Sequence, residues 1–339
     1  MNKKIIALAV AAGFAAAPLA AQADMTVYGQ AQVEVGSWGG DGADGQSVQD
    51  NARGRIGFKA SEDLGGGLKS IAKFEFKTDT ADGDSATTGN NTGVALTKRE
   101  AMVGLKGGWG EFQAGRLKSA YKYMGGVKYD AFTATILEAR GNGGMSGGTY
   151  GHNGFISDSV AYKGKFGGFS LWATYDLDNG GGAGVTNADG SHAMTLGGKF
   201  GTKMWEAGLA YVTDDGNSAA GPKVSAAEHK ATKVFGSVTL GGAHTIRGQY
   251  EMINLANTDN DAKNYYLNYD FKFGKNMVDV GYGDYSVDNT SSADTTFMRV
   301  ALKHKFSKKT STWVGYRSSD YNGSANDVTV ISVGLRKDF

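Results

Sequence analysis

From Asp24 onward the segments between turn-forming stretches are joined by two classes of connector, and the two classes strictly alternate along the chain. One class is short: Gly65-Gly66-Gly67, Gly107-Gly108-Trp109-Gly110, Gly167-Gly168, Gly201-Thr202-Lys203, Gly241-Gly242-Ala243, Gly274-Lys275-Asn276 and Ser307-Lys308-Lys309. The other is longer and rich in Asp, Asn, Gly, Ser and Thr, at about 39–50, 79–95, 120–154, 179–190, 214–228, 256–262, 288–293 and 320–326. Seven short and eight long connectors imply sixteen segments. All short connectors then lie at one end of the structure, all long ones at the other, and both chain ends fall at the short-turn end.

The segments themselves have period two. Tyr265, Leu267, Tyr269, Phe271 and Phe273 alternate with Asn264, Tyr266, Asn268, Asp270 and Lys272. Ile246, Gly248, Tyr250 and Met252 alternate with Thr245, Arg247, Gln249 and Glu251. Met298, Val300 and Leu302 alternate with Arg299, Ala301 and Lys303. Such alternation predicts strands with one apolar and one polar face. No convincing helical periodicity runs longer than about two turns.

Composition decides where such strands reside. Residues 1–23 read as a secretory signal peptide: Lys3 and Lys4, an apolar run from Ile5 to Ala17, and Ala21-Gln22-Ala23 as the cleavage site. That run is too short to span a bilayer, which takes roughly 20 apolar residues. Its removal takes away two lysines and leaves 33 basic against 34 acidic side chains. This balance excludes a nucleic-acid partner, which needs a basic surface. There is no cysteine to staple an exported fold. Only two prolines occur, as suits a backbone whose N–H groups are committed to a ladder. Aromatics cluster near the strand ends on the apolar face, as an interfacial girdle would. A soluble β-sandwich would instead turn its apolar faces inward. The prediction is all-β: a closed 16-stranded antiparallel transmembrane β-barrel over 24–339, with short periplasmic turns and long external loops.

Several stretches carry a resemblance. RIGFKASEDLGGGLKSIAKFEF (Arg55–Phe76) resembles the second and third strands of the general diffusion porins of Gram-negative outer membranes. REAMVGLKGGWGEFQAGR (Arg99–Arg116) is similar to their fourth and fifth strands, and FSKKTSTWVGY and GLRKDF to their last turn and last strand. The resemblance implies a homotrimer in the outer membrane whose third loop, about 120–154, folds into the pore. It also implies that the terminal Phe339 is the signal read by the barrel assembly machinery. Two departures stand out. The sixth-strand region GFISDSVAY has no basic residue before Lys163, and the third residue from the end is Lys337 rather than an aromatic or histidine.

With apolar residues facing lipid, the polar set faces the lumen. Strands two to five then present Arg53, Arg55 and Lys59, Lys69 and Lys73, Arg99, and Arg116 as one arc of basic wall. The resemblance carries over most securely to Arg55 and Arg99, then Arg116. The third loop holds apolar residues that would not stand in water, among them Tyr123, Met124, Tyr129, Phe132, Ile136 and Leu137. It is therefore expected to pack on the inner wall and narrow the lumen. Asp130 and Glu138 are its acidic candidates, expected to face the arc across a transverse field. Unit charges about 8 Å apart at an effective dielectric of about 20 interact by roughly 2 kcal/mol, enough to bias ion entry but not to bind an ion tightly. Lys122, Lys128 and Arg140 also lie in the loop, so no sign of selectivity follows.

Other motifs carry little chemistry. Gly144-Met145-Ser146-Gly147-Gly148 matches a nucleophile elbow but lacks the strand and helix that motif requires. Asp176-Leu177-Asp178-Asn179-Gly180 begins like a calcium loop, yet its twelfth position is Asn187 rather than Glu. The five histidines (His152, His192, His229, His244, His304) are scattered without metal spacing. The expectation is a passive, non-enzymatic channel for small hydrophilic solutes and ions, needing no cofactor. Its rivals are a substrate-selective channel for an oligosaccharide or anion, for which the inward parity of Trp172 and Trp313 offers slight support, and a plugged-barrel adhesin or structural protein.

Overall fold

A computed structural model describes residues 24–41, 44–49, 54–78, 80–81, 96–146, 155–177, 193–214, 229–254, 261–289, 294–322 and 327–339. The expected signal peptide, Arg53, His152, His192 and the continuation of the calcium-like loop lie outside the described residues.

The described chain is one antiparallel sheet closed on itself. Its strands are β1 (Asp24–Gly40), β2 in two pieces (Gly45–Gln49 and Gly54–Gly65), β3 (Leu68–Thr78), β4 (Thr97–Gly107), β5 (Gly110–Lys118), β6 (Phe155–Phe166), β7 (Phe169–Asp176) and β8 (Ala193–Gly201). They continue as β9 (Trp205–Asp214), β10 (His229–Leu240), β11 (His244–Asn254), β12 (Asp261–Phe273), β13 (Asn276–Val287), β14 (Thr295–Ser307), β15 (Thr310–Tyr321) and β16 (Val328–Asp338). The two pieces of β2 pair with the two halves of β1, Gln49 opposite Glu34 and Arg55 opposite Gln30, so they form one barrel strand. The barrel therefore has sixteen strands, each bonded to its chain neighbours. Closure comes from β1 against β16, with Gln30 opposite Asp338 and Gly40 opposite Val328. Phe339 still belongs to this ladder: its N–H donates to Gly29 at 3.1 Å and its carbonyl accepts from Gly29 at 3.2 Å. Closure leaves no unpaired strand edge.

The faces are inverted relative to a soluble protein. Val35, Leu209, Leu267, Val300, Ile331 and Val333 point outward and are about half exposed, while Gln32, Glu34, Asn264, Asn268, Asp270 and Asp279 are buried on the inside. Exposed aromatics form two belts. Trp109, Phe166, Phe169, Phe200, Trp205, Phe273, Phe306 and Phe339 border the short turns, and Tyr175, Tyr250, Tyr265, Tyr282 and Tyr316 lie nearer the long loops. Among the described residues no helix is long and apolar enough to cross a membrane. An outward apolar face on a closed sheet is the arrangement that satisfies every backbone group in lipid.

The third loop supplies the barrel's apolar interior. It leaves β5 through a one-turn helix, α1 (Ala120–Tyr123), capped by the Ser119 hydroxyl accepting the Lys122 N–H, and a short 3-10 turn at Gly126–Lys128. Tyr121, Met124, Tyr129, Ala139 and Met145 pack on Phe235, Tyr266 and Phe297 of β10, β12 and β14. Phe132, Ile136 and Leu137 pack on Ala301, Trp313 and Val330 of β14 to β16. The loop thus lines the wall opposite β2–β5, and its side chains take the place of a soluble core.

Candidate functional site

Between the loop and the facing wall runs a narrow passage of about 210 Å³. Gln30 of β1, Arg55 of β2, Arg99 of β4 and Arg336 of β16 line one side. Lys122, Tyr123, Val127, Lys128, Thr133, Ala134 and Arg140 of the loop line the other. Six of these residues are cations and none is a carboxylate.

Local backbone features aim the cations. Strict alternation with Met102 and Glu100 would turn Arg99 outward. The β3–β4 register instead slips there, with Glu75 opposite Glu100 but Phe76 opposite Lys98. Arg99 is the extra residue of this bulge, and bulges re-aim side chains in this way. Its Nε donates to Glu75 at 3.0 Å. Arg55 follows the plain alternation and reaches the same carboxylate at 3.8 Å. Glu75 also accepts from the Tyr28 hydroxyl at 2.9 Å, and its side chain is almost fully buried. It sits behind the arginines, fixes them, and is itself screened from the lumen.

Arg116 also lies at a bulge, between Gly115 and Leu117 of β5. Gly115 has φ +130°, and a Cβ there would come 2.3 Å from the Ala101 carbonyl oxygen, so only glycine fits the bend. Arg116 does not line the passage. It stands beside Arg99, donating to the Arg99 carbonyl at 3.2 Å and the Ser157 hydroxyl at 2.6 Å, and both guanidiniums face the Phe155 ring.

Lys73 lies nearer the short-turn end, paired with Glu100 and 3.7 Å from Glu75. It borders a wider chamber of about 830 Å³ together with Lys59, Lys69, Lys106, Lys118, Lys128 and Lys163. Glu100 accepts from Lys118 at 2.8 Å. Asp24, Glu100 and Glu111 are the chamber's acidic groups.

Among the described residues Asp130 and Glu138 do not form the acidic half of the expected transverse field, which corrects the sequence reading of both. Asp130 faces away from the arc and is buried against β14. Its carboxylate accepts from Arg299 at 2.7 Å, from the Phe132 N–H at 2.9 Å and from the Ala139 N–H at 2.8 Å. Glu138 turns into the loop, accepting from the Ala134 N–H at 2.8 Å and from Arg140 at 2.9 Å. Both carboxylates satisfy loop donors that would otherwise be buried unpaired. The loop consequently offers the lumen Lys128 and Arg140, with Lys122 buried beside them. Lys128 is exposed to the lumen, but partial desolvation within the enclosing barrel wall and the surrounding Lys118, Arg55, Lys199 and Lys73 hold its ammonium below the usual lysine range.

Arg336 is the wall residue that sequence reading missed. The alternation of Val330, Ser332, Gly334 and Arg336 places it inside the closing strand, and β16 lies next to β1 only because the sheet closes. Its Nε pairs with Asp338 at 2.8 Å.

The other motifs have structural roles. The Ser146 hydroxyl donates to buried Glu251, which also accepts from Tyr121 at 3.2 Å. Gly144 packs where a Cβ would meet Ala139 at 2.7 Å, so the motif's first glycine serves the tight loop. His244 stacks on Phe271 and bonds the Tyr269 hydroxyl at 2.7 Å, while His304 bonds Asn276 at 2.8 Å. No group of three metal-ligating side chains occurs among the described residues.

Comparison with known proteins gives consistent likenesses. A family model described as Gram-negative porin matches residues 7–324. The major outer membrane protein P.IB of Neisseria meningitidis serogroup B is 41% identical over 135 residues, covering 38% of this chain and 37% of that protein. P.IB of Neisseria gonorrhoeae is 36% identical over 154 residues, covering 42% of this chain and 40% of that protein. The alignments thus span under half the length of these curated relatives. Among solved structures, the anion-selective porin from Comamonas acidovorans superposes with a TM-score of 0.75 at 21% identity, over 94% of this chain and all of that one. The trimer form of OmpT from Vibrio cholerae superposes with a TM-score of 0.66 at 16% identity, over 94% and 99%.

Proposed function

The chain belongs to the Gram-negative porin family of the outer membrane, and on that premise we propose that it is a passive channel for small hydrophilic solutes that prefers anions. The carrying observation is the layering of charge at the passage. Arg55, Arg99, Lys128, Arg140 and Arg336 reach the lumen, with Lys122 buried just beneath the surface. Glu75 and Glu138, which neutralise part of them, lie behind, and Asp338 pairs with Arg336. A solute in the passage is closer to the cations than to their partners. In a low-dielectric surround even a few ångströms of offset leave a net attraction for anions. At about 8 Å and an effective dielectric of about 20, each unscreened cation contributes roughly 2 kcal/mol. Salt in the pore reduces this, since the screening length is about 10 Å at 0.1 M. The outcome is biased flow rather than tight binding. The likeness to an anion-selective porin supports the same sign.

Transport of this kind follows the solute gradient and turns nothing over. Residues 1–23 act as the export signal, the barrel works as a homotrimer, and Phe339 serves recognition by the assembly machinery. The family assignment and the likeness to the trimer form of OmpT support the trimer. The measurement is single-channel conductance in a planar bilayer. Ohmic steps insensitive to neutral sugars are expected. Saturable block by a neutral oligosaccharide would favour a sugar-specific channel, and an absence of steps would overturn a channel altogether.

A further inference from the structure

The wide chamber below the constriction holds a feature that ion selectivity alone leaves unused. Tyr123 of the third loop and Trp172 of β7 both line it, are both half-buried, and stack with centroids 5.8 Å apart and planes within 27°. Lys163, directly opposite Trp172 in the β6–β7 register, places its ammonium 4.1 Å over the Trp172 ring. Lys128 sits 5.6 Å over the Tyr123 ring and Lys118 5.2 Å. Lys118 has a carboxylate partner in Glu100. Lys128 and Lys163 have ring contacts and no carboxylate within ion-pair distance among the described residues.

Aromatic rings facing water in a channel wall, with cations parked on their faces, form an amphipathic shelf. A flat anion satisfies both halves at once. Its ring replaces the ammonium on the Trp172 face and gains an offset stack, and the displaced ammonium then pairs with its acid group. An aliphatic anion of equal charge gains only the second contact. Ile71 and Met102 add apolar wall to the same chamber.

Building on the anion preference proposed above, we propose that the chamber carries a subsite for aromatic monoanions, arene carboxylates and sulfonates. The ring lies against Trp172 and Tyr123, and the acid group meets Lys163 or Lys128. The subsite raises the local concentration of such solutes just past the constriction.

The test uses the full-length channel in planar bilayers, with benzoate and cyclohexanecarboxylate as probes matched in charge. Benzoate is expected to reduce the chloride current saturably, with a half-block concentration about fivefold lower than that of cyclohexanecarboxylate, the fold-change one added ring contact supplies. Trp172→Leu is expected to bring the two half-block concentrations together, and Lys163→Gln to raise both. Should Trp172→Leu fail to assemble, Tyr123→Leu reads the same loss of discrimination from the loop side. Equal block by both probes in the native channel, or discrimination that survives the ring substitution, overturns the subsite. The zero-current potential in KCl alone is read separately. An anion-preferring channel without ring discrimination overturns the subsite and leaves the anion preference standing.

Discussion

Arg299 on β14 and Asp130 on the third loop meet at 2.7 Å with no exposed side-chain surface on either. Arg299 reaches Asp279 of β13 at 2.6 Å on its other side and donates to the Leu137 carbonyl at 2.9 Å and the Tyr266 hydroxyl at 2.9 Å. One guanidinium therefore ties three neighbouring strands, β12 to β14, to the loop. Leaving a buried charge unpaired costs about 3–5 kcal/mol. Asp279 still pairs with Arg299 when Asp130 is removed, so the cost is smaller than that and includes the Phe132 and Ala139 N–H groups that lose their acceptor. Asp130→Ala is expected to lower the unfolding temperature of the purified protein. It should also increase current fluctuations as the loop loosens. Unchanged heat stability would mean that the apolar contacts of Phe132 and Leu137 hold the loop alone.

The constriction cations make a different prediction. Arg55→Gln with Arg99→Gln removes two charges from the passage and leaves Glu75 with Lys73 as its remaining cation within ion-pair distance. Glu75 neutralises part of the two charges and salt screens the rest, so only a part of the roughly 2 kcal/mol per bare cation is lost. The anion-to-cation permeability ratio should fall at least tenfold at low salt, where about 1.4 kcal/mol is a factor of ten. The shift in zero-current potential should shrink as salt rises. No shift would mean that these side chains do not set the narrow zone.

Alkaline pH should act on the loop side. Partial desolvation inside the barrel and neighbouring cations depress Lys128, so it loses its proton before an ordinary lysine does. The anion preference is expected to weaken in a step that begins below the usual lysine range. The sign for stability follows from proton binding. Between the depressed folded value and the unfolded value, the unfolded chain holds more protons, so Lys128 makes a contribution that rises with pH across that window. Lys128→Met should remove the selectivity step. A step that persists in this variant assigns it to another group.

Much of the fold was legible from the connectors. Alternating short and long joins give sixteen strands because an up-and-down barrel has two unlike ends, and the described strands and turns follow that count. The inward placement of Arg55 follows directly from alternation. Arg99 is subtler: its inward aim depends on a bulge at Glu75, and a one-residue slip leaves no mark in a hydrophobic pattern. Asp130 was misplaced because its partner Arg299 is 169 residues away, so its role depends on which wall the loop leans against. Arg336 had a signal, since alternation put it on the inner face. Its nearness to Arg55 appears only once β16 is closed against β1.

Deletion of Phe339 tests assembly. Its backbone closes the last pair with Gly29, and its ring lies against Gly29, where an added Cβ would come within 2.1 Å of it. The deletion is expected to lower the yield of folded barrel in outer membranes while leaving the conductance of assembled channels unchanged. Normal yield would remove the terminal residue from any assembly role.

The central claim is that the lumen's first layer of charge is cationic on both sides of the passage. Its most direct test is the zero-current potential of the native channel across a tenfold KCl gradient at neutral pH. The predicted result is a potential displaced toward the chloride equilibrium value, more so at low salt. A potential displaced toward the potassium value would contradict the account.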